Sequence, residues 1–227
     1  MTLAGLSDST QNYLKAIWVL QEWEPAPVTA SALAAKTNLK ISTVSGALRK
    51  LAEQGLIDHA SYGTIMLTAQ GREYALAMVR RHRLLETFLV EVLNYRWDQV
   101  HDEAEQLEHS ASDFMIDQIA ARLGHPVRDP HGDPIPSATG EVVRPETVLL
   151  SDLPPGACGA VARIADGDPA VLQYLTEHGV GLDTVLTRLE PAPFSEAVRV
   201  SLPNGADLAL SPAAASAIRV SPATAEA

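Results

Sequence analysis

The apolar residues of this chain change their period once, and that change limits the fold more than any other feature. Up to residue 123, outside a short stretch at 57–67, they recur at three- and four-residue intervals, the period of amphipathic helices. Beyond residue 145 they come in short β-favouring runs. Between lies HPVRDPHGDPIPSATGEVVRP, residues 125–145, whose five prolines can continue neither pattern. The expected fold class is therefore mainly α with a β C-terminal domain.

Within the helical part, a helix is expected over 9–22, burying Tyr13, Leu14, Ile17 and Trp18, before Glu24-Pro-Ala-Pro27 stops it. Thr29 caps a short helix with Leu33 and Ala34 inward, and Asn38 turns the chain. A further helix, ISTVSGALRKLAEQ, carries Val44, Leu48 and Leu51 on one face and ends at Gly55. Ile57 and Ile65-Met66-Leu67 then flank a Tyr62-Gly63 turn, which reads as a two-stranded hairpin. This order is that of a winged helix-turn-helix. Long amphipathic helices follow over 72–93 and 98–123, and two such stripes with little else nearby call for a second chain to cover them. The β part has strands expected at 159–165, 184–190, 196–202, 206–210 and 217–220. An Asn204-Gly205 turn and one helix capped by Asp168 join them, a pattern that suits a small SH3-like barrel. The expected domains are 1–73, 74–143 and 144–227.

Charge is divided as sharply as hydrophobic period. The net charge is −11, yet residues 1–83 carry +3 and hold all four lysines, while 84–227 carry −14. A basic front beside an acidic remainder fits a chain that meets nucleic acid through its first part. No apolar run approaches the ~20 residues of a membrane span. No secretion signal is evident, and the single Cys158 fits a cytoplasmic protein and excludes disulfides and multi-cysteine metal sites.

Two short motifs carry donor chemistry. In HDEAEQLEH, helical spacing points Glu105, Glu108 and His109 one way, with His101 a turn earlier. In HRLLE, His82 and Glu86 share a face. Each alone is compatible with a solvated surface. Together, on consecutive helices, they favour a shared cation, since adjacent carboxylates otherwise repel. Oxygen and imidazole donors without sulfur suit manganese or iron(II). His131 is placed in the linker and given no role. No Gly-rich phosphate loop, nucleophile elbow or HExxH motif is present, so an enzyme is not expected.

The combination of winged helix, HRLLExxL, VHDEAxxxEH, GDPIP and β tail resembles the diphtheria-toxin-repressor family over essentially the whole chain, and most closely its actinobacterial manganese-dependent branch. The resemblance implies a winged helix-turn-helix DNA-binding domain, a helical dimerisation and metal-binding domain, and an SH3-like, FeoA-like domain. It implies an activating metal site at Asn12, Glu105, Glu108 and His109. It also implies an ancillary site at His82, Glu86 and His101, with Asp166 and Asp168 the nearest donors in the SH3-like domain. Where manganese members carry aspartate this chain has Asn12, and where members with closely paired ions carry another carboxylate it has Lys15. The implied DNA contacts are Lys36, Lys40, Ser42, Thr43, Ser45, Arg49, Lys50 and Tyr62. The expected function is a cytoplasmic, homodimeric, manganese-activated repressor that binds double-stranded operator DNA and controls metal-ion homeostasis genes, with no small-molecule substrate. The alternatives are an iron-dependent repressor of the same family and a winged-helix regulator that answers a small organic ligand.

Overall fold

The computed structural model of the chain describes residues 3, 5–23, 26–59 and 63–222. They fall into two compact units, Met1–Leu85 with Glu105–His125 and Ile135–Val142, and Glu86–Ala104 with Pro126–Pro134 and Val143–Ala227.

In the first unit, α1 (Asp8–Glu22) starts where the Ser7 side chain accepts the Thr10 amide, and buries Tyr13, Leu14, Ile17 and Trp18. The Arg72 guanidinium lies 4.4 Å from the centre of the Trp18 ring. Helices α2 (Ala30–Thr37) and α3 (Ile41–Glu53) are joined through Asn38, whose φ of 52° lets the chain turn sharply. Val44, Leu48 and Leu51 anchor α3. Strands β1 (Ile57–His59) and β2 (Ile65–Leu67) pair antiparallel, Ile57 opposite Leu67. The Tyr62 half of the expected hairpin turn lies outside the described residues. Helix α4 (Ala69–Glu91) follows at once. It requires glycine at 71, because a Cβ there would sit 1.9 Å from the Leu56 carbonyl oxygen.

One expected helix is two. The stretch 98–123 forms a 3₁₀ turn at Trp97–Gln99, α5 (Val100–Leu107) and α6 (Asp113–Arg122). The apolar stripe runs on through the break, but the hydrogen bonding does not. Ser112 starts α6 by accepting the Met115 amide at 3.1 Å. The buried Arg81 guanidinium donates to the Glu108 and Ala111 carbonyls at 3.2 and 2.7 Å, satisfying the end of α5, and pairs with Asp113.

The second unit contains β3 (Val148–Leu149), β4 (Cys158–Ile164), α7 (Pro169–Glu177), β5 (Val185–Arg188), β6 (Val198–Ser201), β7 (Asp207–Leu210), α8 (Pro212–Ser216) and β8 (Ile218–Pro222). The six strands form one antiparallel sheet in the order β3-β8-β4-β5-β6-β7. A register shift between Val161 and Arg163 marks an irregularity in β4 against β8. Leu150, Val161, Ile164, Leu172, Leu175, Leu186, Val200 and Val220 make its core. Five strands fall where alternation predicted them. The two-residue β3 and the Pro-Ala-Ala-Ala helix α8 carry too little hydrophobic pattern to be read. No described helix is long and apolar enough to cross a membrane.

Candidate metal centres

The first cluster assembles on α1, α4 and the α5–α6 segment. The Lys15 ammonium donates to Glu105 Oε1 at 2.7 Å and Glu108 Oε1 at 2.5 Å, and lies 3.4 Å from His82 Nδ1. His82 Nδ1 donates in turn to Glu108 Oε2 at 2.7 Å. Donor atoms of His82, Glu105 and Glu108 all lie within 4.8 Å of one another. The Glu108 side chain is 0% exposed. A carboxylate buried so completely needs positive charge beside it.

His109 completes this region. Its Nε2 is 3.7 Å from Glu108 Oε1, while Nδ1 donates to the Gln11 amide oxygen at 3.0 Å. Gln11 is oriented by its own donation to the Leu6 carbonyl. The imidazole is thus left with its lone pair on Nε2, toward Glu108. Asn12 sits three residues before Lys15 on the same face of α1. Its Oδ1 is buried and meets no hydrogen-bond donor. A buried oxygen without a donor, one helical turn from Lys15, suits a hard or borderline divalent ion.

The second cluster lies within the other unit. Donor atoms of Glu86, His131 and Asp166 lie within 4.8 Å of one another. His101 Nδ1 is 3.0 Å from Asp166 Oδ2 and 3.4 Å from Glu86 Oε1. The Asp166 carboxylate, and after it Glu86, pushes the His101 pKa up to about 10 from its ordinary 6.5. Because the folded value exceeds the unfolded one, this contact contributes fully below pH 6.5 and fades as pH rises through about 10. As a metal donor His101 would have to release that proton.

His131 is the residue that sequence reasoning missed. Asp129 Oδ1 accepts the amides of His131 and Asp133, both at 2.9 Å, folding DPHGD into a tight loop. The His131 carbonyl accepts from the Ile164 amide at 2.9 Å, which holds the loop on β4. Nε2 donates to the Trp97 carbonyl at 2.8 Å, and the buried Nδ1 meets no donor. The readable signal was an aspartate two residues before the histidine, the spacing of a side-chain-locked turn.

His82 meets Glu108 in the first cluster. Asp166 joins the second cluster. Asp168 accepts the Ala170 amide at 2.9 Å as the cap of α7, and among the described residues it joins no convergent group.

On α3 and just before it, Lys36, Lys40, Ser42, Thr43, Ser45, Arg49 and Lys50 are all exposed. The Ser45 hydroxyl donates to the Ile41 carbonyl and so is partly engaged. Tyr62 lies outside the described residues. Ile41, 55% exposed at the start of α3, was not among the expected contacts. It offers the kind of apolar surface that packs against a thymine methyl.

Comparison with known proteins accounts for nearly the whole chain. Residues 5–65 match the iron dependent repressor N-terminal DNA binding domain, 68–137 its metal binding and dimerisation domain, and 148–222 the FeoA domain. Iron-dependent repressor IdeR of Mycobacterium tuberculosis is 33% identical over 204 residues, 87% of this chain and 84% of its own. The diphtheria toxin repressor of Corynebacterium glutamicum is 32% identical over 194 residues, 80% of this chain and 84% of its own. A manganese-dependent transcriptional repressor solved in complex with manganese is 50% identical, with TM-score 0.90 over 94% of this chain and 100% of that one. The manganese regulator SloR is 29% identical, with TM-score 0.78 over 94% of this chain and 98% of that one. These relatives are regulators and not enzymes. The chain belongs to the diphtheria toxin repressor family, as a metal-dependent, DNA-binding transcriptional repressor.

Proposed function

We propose that manganese(II) is the activating ion and that the first cluster is where it acts. The observation that carries this reading is the donor set: Glu105, Glu108, His109 and the orphaned Asn12 oxygen, with His82 alongside and no sulfur among them. Hard oxygens with imidazole favour manganese over soft ions. The manganese-bound relative at 50% identity supports the same ion. Iron(II) is the second reading, supported by the iron-dependent relatives at 33% identity. The second cluster, Glu86, His101, His131 and Asp166, would hold a further ion of the same hard class.

The repressor acts in the cytoplasm as a homodimer on operator DNA of metal-homeostasis genes. Asn12 lies on α1 of the DNA-binding half, Glu105 on α5, and Glu108 and His109 just after it. Joining them around one charge couples metal level to the placement of α3. Moving such a switch from mostly off to mostly on needs about 5.5 kcal/mol of preference for the active state.

The deciding experiment is operator binding by fluorescence anisotropy, titrated in parallel with manganese, iron(II), zinc and cobalt. Half-maximal activation at the lowest free concentration relative to cellular supply should belong to manganese. Activation by iron(II) alone overturns the choice of ion. No activation and no thermal stabilisation by any of them returns the chain to a regulator of organic-ligand type.

Lys50, exposed in the last turn of α3, is expected to touch phosphate. Lys50→Ala should weaken binding to operator and to unrelated DNA by similar factors and make the salt slope shallower by about one. A loss confined to operator sequence would place Lys50 at a base edge instead.

A further inference from the structure

Lys15 is buried, and its ammonium occupies the centre of the first cluster. It has carboxylate oxygens at 2.5 and 2.7 Å and an imidazole nitrogen at 3.4 Å. Lysine is rarely buried without a partner, and here the partners are the groups just assigned to metal. We propose that Lys15 is a tethered counter-ion: it holds Glu105 and Glu108 together in the ion-free protein and yields its place when a divalent ion binds. The inference rests on the reading of this cluster as a metal site.

The charge balance carries the argument. Glu105 and Glu108 together bring −2, and the ammonium leaves −1. A divalent ion in place of the ammonium leaves zero, whereas both cations together leave +1 in a buried site. The two also need the same oxygen lone pairs: Glu108 Oε1 faces Lys15, and Oε2 faces His82. An ion bound between the carboxylates must therefore displace the lysine head, which its flexible four-carbon stem permits. The ammonium competes equally against every divalent ion. It sets the concentration at which the repressor responds and not which ion it prefers. It also suppresses carboxylate repulsion in the empty site, so the ion-free protein stays folded.

The test is calorimetric titration of full-length protein with manganese alone, paired with thermal denaturation in chelator. The site that disappears in Glu108→Gln identifies the first cluster. Lys15→Met should bind manganese there at least about tenfold more tightly, and melt lower than wild type in chelator but not when loaded. Lys15→Arg, which keeps the charge, should stay weak. A Lys15→Met protein that is unfolded in chelator and refolds on adding manganese supports the proposal; one that stays unfolded in both overturns it. Unchanged or weaker affinity in Lys15→Met, with normal wild-type binding, also overturns it. That result would mean that the lysine remains on the carboxylates in the loaded state. A wild type that gives no Glu108-dependent heat overturns the metal reading itself.

Discussion

Glu108→Gln should lose metal-dependent operator binding by at least about 100-fold, the upper end of what removing even an outer-shell partner costs a metal site. Glu108 is the one carboxylate in the first cluster with no exposure, and both its oxygens are engaged, by Lys15 and His82. Glutamine preserves the shape but removes the charge. Lys15 is then left with Glu105, whose side chain is 41% exposed, as its carboxylate partner. Stability should fall by about 3 kcal/mol, the low end for one partner lost from a buried ion pair. Anisotropy on operator DNA with and without manganese reads the first effect, and denaturation in chelator reads the second. A variant that still responds normally to manganese would remove Glu108 from the site.

The second large effect is structural and lies on the same helices. Arg83 and Glu22 form a bidentate pair, Nη1 to Oε1 at 2.9 Å and Nη2 to Oε2 at 2.5 Å, with side chains 6% and 0% exposed. The pair ties the end of α1 to α4. Because α1 carries Asn12 and Lys15 and α4 carries His82, it fixes how those residues face one another. Arg83→Met strands a buried carboxylate and should cost about 3–5 kcal/mol. Adding Glu22→Leu should recover most of that, because an apolar pair of similar volume suits a dry interior. Chemical denaturation of both single variants and the double variant checks it. If the double variant is as unstable as the sum of the singles, the cost lies in packing and not in stranded charge.

The same residues show what could be read from the sequence and what could not. Thr29, Asn38 and Gly55 mark helix ends through local backbone chemistry, so α2 and α3 were legible from residue type and spacing, while α1, expected from residue 9, starts at Asp8 behind the Ser7 cap. Arg81, His82 and Arg83 are consecutive on α4. All three are buried, and each turns to a different partner: the carbonyls ending α5, Glu108 and Glu22. Those partners lie at least 26 residues away in the chain, and a helical period does not register them. The break at 108–112 was hidden for the same reason, since Arg81 supplies hydrogen bonds that the local sequence does not announce. In the candidate site, Glu105, Glu108 and His109 were legible as donors because one helical turn brings them together. That Lys15 already sits among them, and that His131 belongs beside Glu86, depends on contacts between distant segments.

Gly132 shows how far from a donor atom such a site can be decided. Its φ is 92°, and a Cβ would come 2.1 Å from the Ala162 carbonyl oxygen. Replacing it with even alanine would prise DPHGD from β4, taking the neighbouring imidazole with it. Genetic lesions at this position would mimic loss of a ligand, although glycine has no side chain with which to hold an ion.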